Sequence, residues 1–409
     1  MPHTFGTRYR ARGTRFRVYP QSPGLRGLVR PEVVYVDAEP GTLREGPQDD
    51  RLYVVDAVAK TAYYEATKAS ERHPPYLGPR YPSPAPGPDG HFDHIGGRAR
   101  AFASATVFAS VRLVLDLWEE YLGRQIAWFF RSDYHRLEVI PVVNTQNAYS
   151  RYGYLEFGFA DARGRVPYRL IFDAVAHETG HAVIHSLVGW PGERRSLAYR
   201  AFDEALADLL AIVSALNFDS VVDRLLATTK GRLFSKNLVS RIGEVPKRVD
   251  PRGAIRNTYS RATLATVRLT GDVTSDKYRL AAPLAGGAFD LFVEMYEERL
   301  VARGAIRSVL AAASAAFRRR RIAPLQREFG RRYAARPRAF RDALLDARDA
   351  FGRLLARTLD KTSARGLTFA RVVANMLAAD RELYGGRHRA LIRAAFERRR
   401  ILPAASSGR

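Results

Sequence analysis

Apolar residues spaced three and four positions apart predict helices through most of the chain beyond residue 100. The first predicted helix covers residues 103–125, where five large apolar side chains share one face: Val107, Val111, Val114, Trp118 and Leu122. Further helices are predicted at residues 168–187, 200–216 and 221–227. From residue 304 to 400 one helical pattern follows another, which predicts an all-α region.

Strand-like runs rich in β-branched and aromatic residues lie mainly before residue 160. They cover residues 16–19, 33–36, 52–55, 137–143 and 154–157. Seven of the 22 prolines fall between residues 74 and 88, which predicts an extended linker or surface arm. Residues 243–277 are polar and predict a long loop. The mixture indicates an α+β fold.

The predicted helix at 168–187 contains the run His177-Glu178-Thr179-Gly180-His181. Positions four apart share a helix face, so His177 and His181 can bind one metal ion, with Glu178 beside its open side. Glu204, 23 residues after His181, is the expected third ligand, because catalytic zinc sites use three protein ligands and leave one place for water. Asp208, one turn beyond Glu204, can orient a ligand histidine. An ordinary amphipathic helix is the alternative explanation of the His177–His181 motif. That explanation is less favoured because Glu204 and Asp208 follow at a workable spacing.

At these residues the chain resembles the thermolysin-like zinc peptidases of the gluzincin group. Residues Asp173–His181 are similar to that family's zinc helix, and Asp203–Asp208 to its third-ligand helix. Asn147-Ala148-Tyr149, followed by Phe157-Gly158, resembles the family's edge strand, which aligns the substrate backbone. Pairing of an extended peptide with such an edge gives affinity through backbone hydrogen bonds.

The resemblance implies Zn²⁺-dependent hydrolysis of peptide bonds. The implied zinc ligands are His177, His181 and Glu204. Glu178 is implied as the general base and Asp208 as the residue behind a ligand, while Asn147 and Ala148 are implied to contact the substrate.

The resemblance covers roughly residues 100–300 and implies a two-lobed α+β metallopeptidase core. We expect an N-terminal β-rich and proline-rich extension at residues 1–95. A catalytic lobe with the edge strand and the HExxH helix is expected at 96–216, and a helical C-terminal lobe at 217–409.

The family's second histidine, which donates to the oxyanion that develops in catalysis, has no evident counterpart here. The chain has nine histidines, and none lies between His185 and His388. The segment before Ala281 resembles the place where the family carries that histidine, so Tyr278 is predicted to supply the donor. Tyr199, just before the predicted Glu204 helix, is a second candidate.

The other histidines near acidic residues receive structural interpretations. His185 lies one turn after His181, but Ala182 follows His181, so no glutamate base accompanies this pair. We interpret His185 as a polar residue behind the ligands. His91 and His94 could bind a metal ion, but nothing nearby supplies further ligands, and a polar turn is the preferred interpretation.

The positive charge of the chain is not explained by this site. The formal net charge is +24, and residues 301–409 carry 26 basic and 8 acidic residues, a net +18. Binding of nucleic acid or another polyanion is one interpretation. We prefer arginine-rich, solvated helix faces, because the arginines alternate with apolar residues and do not form a tail. The chain has no cysteine, so no disulfide or cysteine-ligated metal is expected.

These features favour a zinc endopeptidase that acts on peptides or proteins. No Gly-x-Met-x-Asn segment of the kind that captures a free amine is present, which disfavours an aminopeptidase. The alternatives are a pseudopeptidase that uses the same site only for binding, and a basic nucleic-acid-binding protein whose HExxH is incidental. The N-terminus lacks an apolar signal segment, and no run approaches about 18 apolar residues, so a cytoplasmic protein without a membrane partner is expected.

Overall fold

The computed structural model describes residues 3–23, 25, 28–66, 72–161, 163, 166–192, 195–244 and 254–403. Ten α-helices occur within these residues: α1 (Ala101–Leu122), α2 (Phe172–Val188), α3 (Leu197–Ala215), α4 (Asp219–Thr229), α5 (Val273–Ala302), α6 (Ser308–Ala316), α7 (Ala323–Ala335), α8 (Pro337–Asp360), α9 (Phe369–Tyr384) and α10 (Arg389–Glu397). The same residues contain eight strands: β1 (Thr14–Val18), β2 (Glu32–Val36), β3 (Leu52–Val54), β4 (Leu137–Ile140), β5 (Ala148–Arg151), β6 (Tyr154–Phe157), β7 (Arg241–Glu244) and β8 (Ala254–Asn257). The α+β class is confirmed, with small sheets and a mostly helical remainder.

The largest sheet has four strands in the order β3-β4-β6-β5. β4 runs parallel to both β3 and β6, and β5 returns antiparallel to β6, with Ala148 opposite Phe157. β5 is therefore an edge strand of the described sheet. Its outer backbone groups face away from β6, which is the arrangement that peptide addition to a sheet requires.

Successive side chains of a strand point to opposite faces of the sheet, and both faces are covered here. Leu137 and Val139 of β4 belong to the main core that includes α1. Ile140 and Tyr154 belong to a second cluster, which contains Tyr63. β3 and the segment after it thus pack as part of the central sheet. The predicted division of the chain at residues 95 and 216 stays a prediction.

The helix α1 lies in the core of the protein. Of the helices described, it is the one that is long and apolar enough on its own to cross a membrane, and 94% of its most apolar window is buried inside the protein. α3 and α4 pass the same test only as a pair, and they are bent by 97° at their junction. Core packing therefore accounts for the apolar composition of α1.

The helical part of the chain forms layers around α3. α2 and α5 both pack against α3, and α8 packs against α5 and α1. α9 and α10 continue the stack beyond α8 and α5. This order places α2 and α5 beside α3, so side chains of three helices can meet in one place.

The long loop predicted at residues 243–277 is wrong at 254–257, which form β8, and at 273–277, which begin α5. Residues 245–253 of that range lie outside the described residues. β7 and β8 pair as an antiparallel ladder, and α5 begins at Val273. The side chain of Asp272 accepts hydrogen bonds from the backbone N–H groups of Thr274 and Ser275, which caps the helix. Tyr278 therefore lies on α5 itself, and not in a loop before it.

The proline-rich stretch at residues 74–88 has no helix or named strand in the described chain and follows the surface as an arm. Tyr81 N–H donates to the carbonyl of Asp56, and Gly46 N–H donates to that of Pro84. The His91–His94 segment forms a polar turn, in which His91 Nδ1 accepts from the backbone N–H of Arg15 and Asp93 pairs with the Arg15 guanidinium.

A buried ion pair fastens the segment after β3 to the sheet. The ammonium group of Lys60 contacts the carboxylate of Glu156 on β6, and both side chains are almost fully buried. Glu156 Oε2 also accepts from the backbone N–H of Tyr63 at 2.9 Å. Burial raises the pKa of Glu156 and lowers that of Lys60, so desolvation outweighs their mutual attraction.

We expect Lys60→Met to destabilise the protein by about 3–5 kcal/mol, because it leaves Glu156 as an uncompensated buried charge. The double variant Lys60→Met/Glu156→Gln should recover most of that loss, since glutamine is neutral and can still accept from Tyr63. Urea unfolding of the two variants beside the wild type measures both values. If the double variant were no more stable than Lys60→Met, loss of the buried charge pair would not be the cause.

Candidate metal centre

The helix α2 directs two histidines to one point. His177 and His181 lie one turn apart on it, with their ring centroids 4.6 Å apart and their Nε2 atoms 3.0 Å apart. Both side chains are buried. The helical spacing that suggested a shared ligand face therefore brings the two imidazole nitrogens together.

The helix α3 supplies an acid from the opposite side. Ser196 caps this helix by accepting from the backbone N–H of Tyr199 at 3.1 Å. Glu204, two turns along, places Oε2 3.4 Å from His177 Nε2 and 4.0 Å from His181 Nε2. These three atoms form a compact group that could hold a metal ion.

Close packing of the two helices makes this meeting possible. Gly180 lies between the two histidines of α2, and a Cβ built on it would be 3.3 Å from Ala207 Cα of α3. That separation is tighter than ordinary van der Waals contact, so a larger residue would push the helices apart. Gly180 and Ala207 thus let Glu204 reach the histidines.

Carboxylates behind the histidines orient both rings. His177 Nδ1 lies 2.9 Å from Asp208 Oδ1, and His181 Nδ1 lies 2.7 Å from Asp203 Oδ1. A carboxylate accepts a hydrogen bond from an imidazole N–H, so these contacts favour Nδ1 as the protonated nitrogen of each ring and leave Nε2 facing the other histidine. Asp208 occupies the place predicted for it, although its effect on metal binding stays a prediction. Asp203 was missed, and its position directly before Glu204 was the available signal.

The electrostatics of Asp203 reflect this arrangement. Burial alone would raise the pKa of its carboxyl group, but the imidazoles of His181 and His185 outweigh that effect and lower the pKa well below its usual range. Asp203 is therefore ionised at neutral pH and can hold the Nδ1 proton of His181.

The donor set fits a small divalent ion. Two Nε2 lone pairs facing each other at 3.0 Å repel, unless a cation or a proton lies between them. In a tetrahedral zinc site, bonds of 2.0–2.1 Å place ligand atoms about 3.3 Å apart. The observed separations of 3.0, 3.4 and 4.0 Å bracket that value.

A second group of possible ligands lies behind the first. It consists of His181, His185 and Asp203, and His185 Nε2 is 3.1 Å from Asp203 Oδ2. The 2.7 Å separation of His181 Nδ1 from Asp203 Oδ1 is a hydrogen-bond distance, and it is too short for two ligands of one tetrahedral zinc ion. The geometry therefore favours the group that contains Glu204, with His185 as a polar neighbour behind it.

A cavity of about 180 Å³ opens over these residues. Glu178 lines it beside His177, and α5 contributes Lys277 and Tyr278. Asn147 and the whole of β5 form another wall. The structure thus brings the predicted substrate-contact residues to the same cavity as the candidate ligands and base.

Lys277 is a site residue that the sequence reasoning missed. Its Nζ lies 2.6 Å from Glu204 Oε1, the oxygen that does not face the histidines. Burial alone would lower the pKa of Lys277, but the Glu204 carboxylate raises it above its ordinary value. The ion pair leaves Oε2 as the oxygen of Glu204 directed at the two imidazoles.

The two tyrosines considered as oxyanion donors differ in position. Tyr278 is 38% exposed and lines the cavity, with the Lys277 ammonium 4.6 Å from its ring centroid. Tyr199 is buried, does not line the cavity, and donates its hydroxyl to the Gly189 carbonyl at 2.7 Å. The structure does not bring Tyr199 to the cavity, because that hydrogen bond holds its hydroxyl at the end of α2.

Comparison with known proteins gives little further identification. No protein-family model and no curated protein matches the chain. Among solved structures, the chain is similar to one described as the precursor of protealysin, a metalloproteinase from Serratia proteamaculans. The TM-score is 0.49 and the sequence identity 12%, over 88% of this chain and 90% of that chain. Similarity of this degree does not by itself assign an activity.

We expect the full-length protein to bind one Zn²⁺ and Glu204→Ala to lose it, because that change removes one of three donors. Asp208→Ala should weaken binding about 10- to 100-fold by releasing the His177 ring. Metal analysis after dialysis, with titration of Zn²⁺ into the metal-free protein, measures both effects.

His185→Ala is the matched control, since it changes the second group and leaves the first group intact. It should retain one Zn²⁺ per chain. Loss of the ion in His185→Ala, with retention in Glu204→Ala, would place the ion in the second group.

Proposed function

We propose that this chain is a zinc-dependent peptidase of the gluzincin type that cleaves peptide bonds within a chain. The observation that carries the proposal is the meeting of His177 Nε2, His181 Nε2 and Glu204 Oε2 within 4.0 Å, beside Glu178 in an open cavity. Zn²⁺ suits this set of two imidazoles and one carboxylate, and a fourth position would remain open.

A bound Zn²⁺ would supply a water of lowered pKa, near about 7, and would polarise the carbonyl group of the substrate. Glu178 is proposed to take the proton of the attacking water at its carboxylate and to pass it to the leaving nitrogen. Its side chain lines the cavity and is only partly buried, so it is accessible to both partners.

The wall formed by β5 supports a peptide as the substrate. Four consecutive residues of this edge strand, Ala148–Arg151, line the cavity. An extended peptide that pairs with β5 would contact it through backbone groups, and that mode of binding accepts internal segments of many sequences. Asn147 is proposed to contact the same peptide from the start of the strand.

The oxyanion that forms in amide hydrolysis needs a donor. Tyr278 is proposed for this role, because its hydroxyl belongs to a cavity-lining side chain on α5, next to Lys277. A hydroxyl fixed on a helix can donate without reorganisation when negative charge develops.

A pseudopeptidase that binds metal without turnover is the second candidate. The contact between Lys277 and Glu204 favours it, because a cation 2.6 Å from a ligand carboxylate reduces the negative charge offered to the metal. In this alternative the cavity would bind peptides without cleaving them.

Glu178→Gln should retain one Zn²⁺ per chain and lose peptide hydrolysis, because an amide cannot accept the proton of the attacking water. Cleavage of a quenched peptide library, with and without a chelator, measures the activity. Turnover close to that of the wild type would remove Glu178 from this role. A wild-type protein that holds zinc and cleaves no peptide would favour the pseudopeptidase.

Tyr278→Phe should lower kcat by about 100- to 1,000-fold and change KM less, because it removes the proposed oxyanion donor and keeps the aromatic ring. Zinc content should stay unchanged, since the aromatic ring beside Lys277 remains. Tyr199→Phe is the matched control, and it should lose stability through its bond to Gly189 while kcat stays within about threefold. A large loss of kcat in Tyr199→Phe, with none in Tyr278→Phe, would transfer the donor role to Tyr199.

A further inference from the structure

A second, larger cavity lies apart from the metal centre and shares no lining residue with it. It measures about 790 Å³ and lies between the end of α4, the residues before β7, and the connection from α6 to α7. Its described lining includes eight basic residues and no acidic one: Arg224, Lys230, Arg232, Lys236, Arg241, Arg319, Arg320 and Arg321. We refer to it as the basic cavity.

Most of the positive charge in the basic cavity is not neutralised by described residues. Elsewhere the chain pairs its arginines, as where Arg341 contacts Asp219 and Asp223. Among the residues that the structure describes, five of the cavity cations form no ion pair: Arg224, Lys230, Lys236, Arg320 and Arg321. Like charges gathered in a concave surface repel and raise the local potential, so such a site attracts an anion.

The floor of the cavity is fixed by a buried arginine. Arg232 is 2% exposed, and its guanidinium donates to the carbonyls of Phe317 at 2.9 Å and Arg320 at 3.3 Å. No described carboxylate lies within ion-pair distance of it, although the buried Glu297 attracts it from further away, and its Nε has no hydrogen-bond partner. A buried guanidinium that no carboxylate contacts is costly, and an anion in the cavity would offset that cost.

The walls of the cavity are also held in place. Gln326 of α7 donates to the carbonyl of Thr229 at the end of α4 at 2.8 Å. The hydroxyl of Tyr259 donates to the carbonyl of Arg318 at 2.6 Å, and the guanidinium of Arg319 lies over the Tyr259 ring at 4.4 Å. The cations are therefore carried on fixed backbone, which lowers the cost of ordering them on binding.

We propose that the basic cavity binds a small, multiply phosphorylated anion. Arginine is suited to phosphate, because its planar guanidinium forms paired, charge-assisted hydrogen bonds with phosphate oxygens. The volume is within the usual range for small-molecule sites and exceeds what a single phosphate fills. A concave site with a buried guanidinium is reached by a terminal phosphate group more easily than by the flank of a nucleic-acid duplex.

Titration calorimetry with inorganic tripolyphosphate on the full-length protein in about 0.15 M salt tests the proposal. One binding site per chain is expected. Arg320→Gln/Arg321→Gln should weaken binding at least about tenfold, since it removes two charge-assisted contacts from the rim. Both side chains are exposed, and the Arg320 carbonyl that holds Arg232 is retained. Thermal unfolding of the variant should match that of the wild type.

Arg307→Gln/Arg338→Gln is the control, because both residues are exposed, lie outside the cavity lining and lower the net charge by the same amount. It should change the affinity by less than about twofold. If tripolyphosphate chelated a bound metal, the effect would be the same in the cavity variant and in the control. Chelation would therefore not produce a difference between their affinities. Equal weakening in both variants, or no binding to the wild type, would overturn the proposal. Duplex DNA that binds more tightly than tripolyphosphate, and is released by Arg320→Gln/Arg321→Gln, would replace it with nucleic-acid recognition.

Discussion

The close approach of α2 and α3 is the constraint on which the candidate metal centre depends. Gly180 faces Ala207 so closely that even a methyl group would fall 3.3 Å from the opposite backbone. α2 carries the two histidines, and α3 carries Glu204 together with the carboxylate behind each histidine. A separation larger by one side chain would leave both rings without their carboxylates and Glu204 out of reach. The site is therefore a property of one helix interface.

Charge balance sets a second condition on that interface. Asp203, Glu204 and Asp208 are all buried within one and a half turns of α3, so three carboxylates that repel one another share a small volume. The imidazole N–H groups and the Lys277 ammonium satisfy some carboxylate oxygens, and the two Nε2 atoms 3.0 Å apart still need a cation or a proton between them. A divalent cation at that point would complete the balance, which is why zinc enters the proposal as part of the electrostatics.

The sequence could predict what depends on local spacing and could not predict what depends on long-range packing. The period of a helix was enough to place His177 and His181 on one face, and the need of a catalytic zinc site for a third protein ligand pointed to Glu204. Lys277 approaches Glu204 from a helix 73 positions further along the chain, and no sequence spacing indicates that contact. The start of α5 was missed because the polar residues around Asp272, which caps the helix, are typical of a loop. The pairing of β3 with β4 was missed because paired residues such as Leu52 and Leu137 lie 85 positions apart.

The arginines show the same limit in the distribution of charge. Many arginines of the C-terminal half alternate with apolar residues, and some pair along a helix, as Arg357 does with Asp360. This alternation along the sequence does not indicate where the end of a helix, or a connection between helices, meets another element. At the basic cavity, Lys230 from the end of α4 and Arg320 from the connection before α7 are brought together, although 90 positions separate them. A concentration of charge that arises only from tertiary packing has no signature in a linear pattern, so its functional meaning has to be inferred from the folded protein.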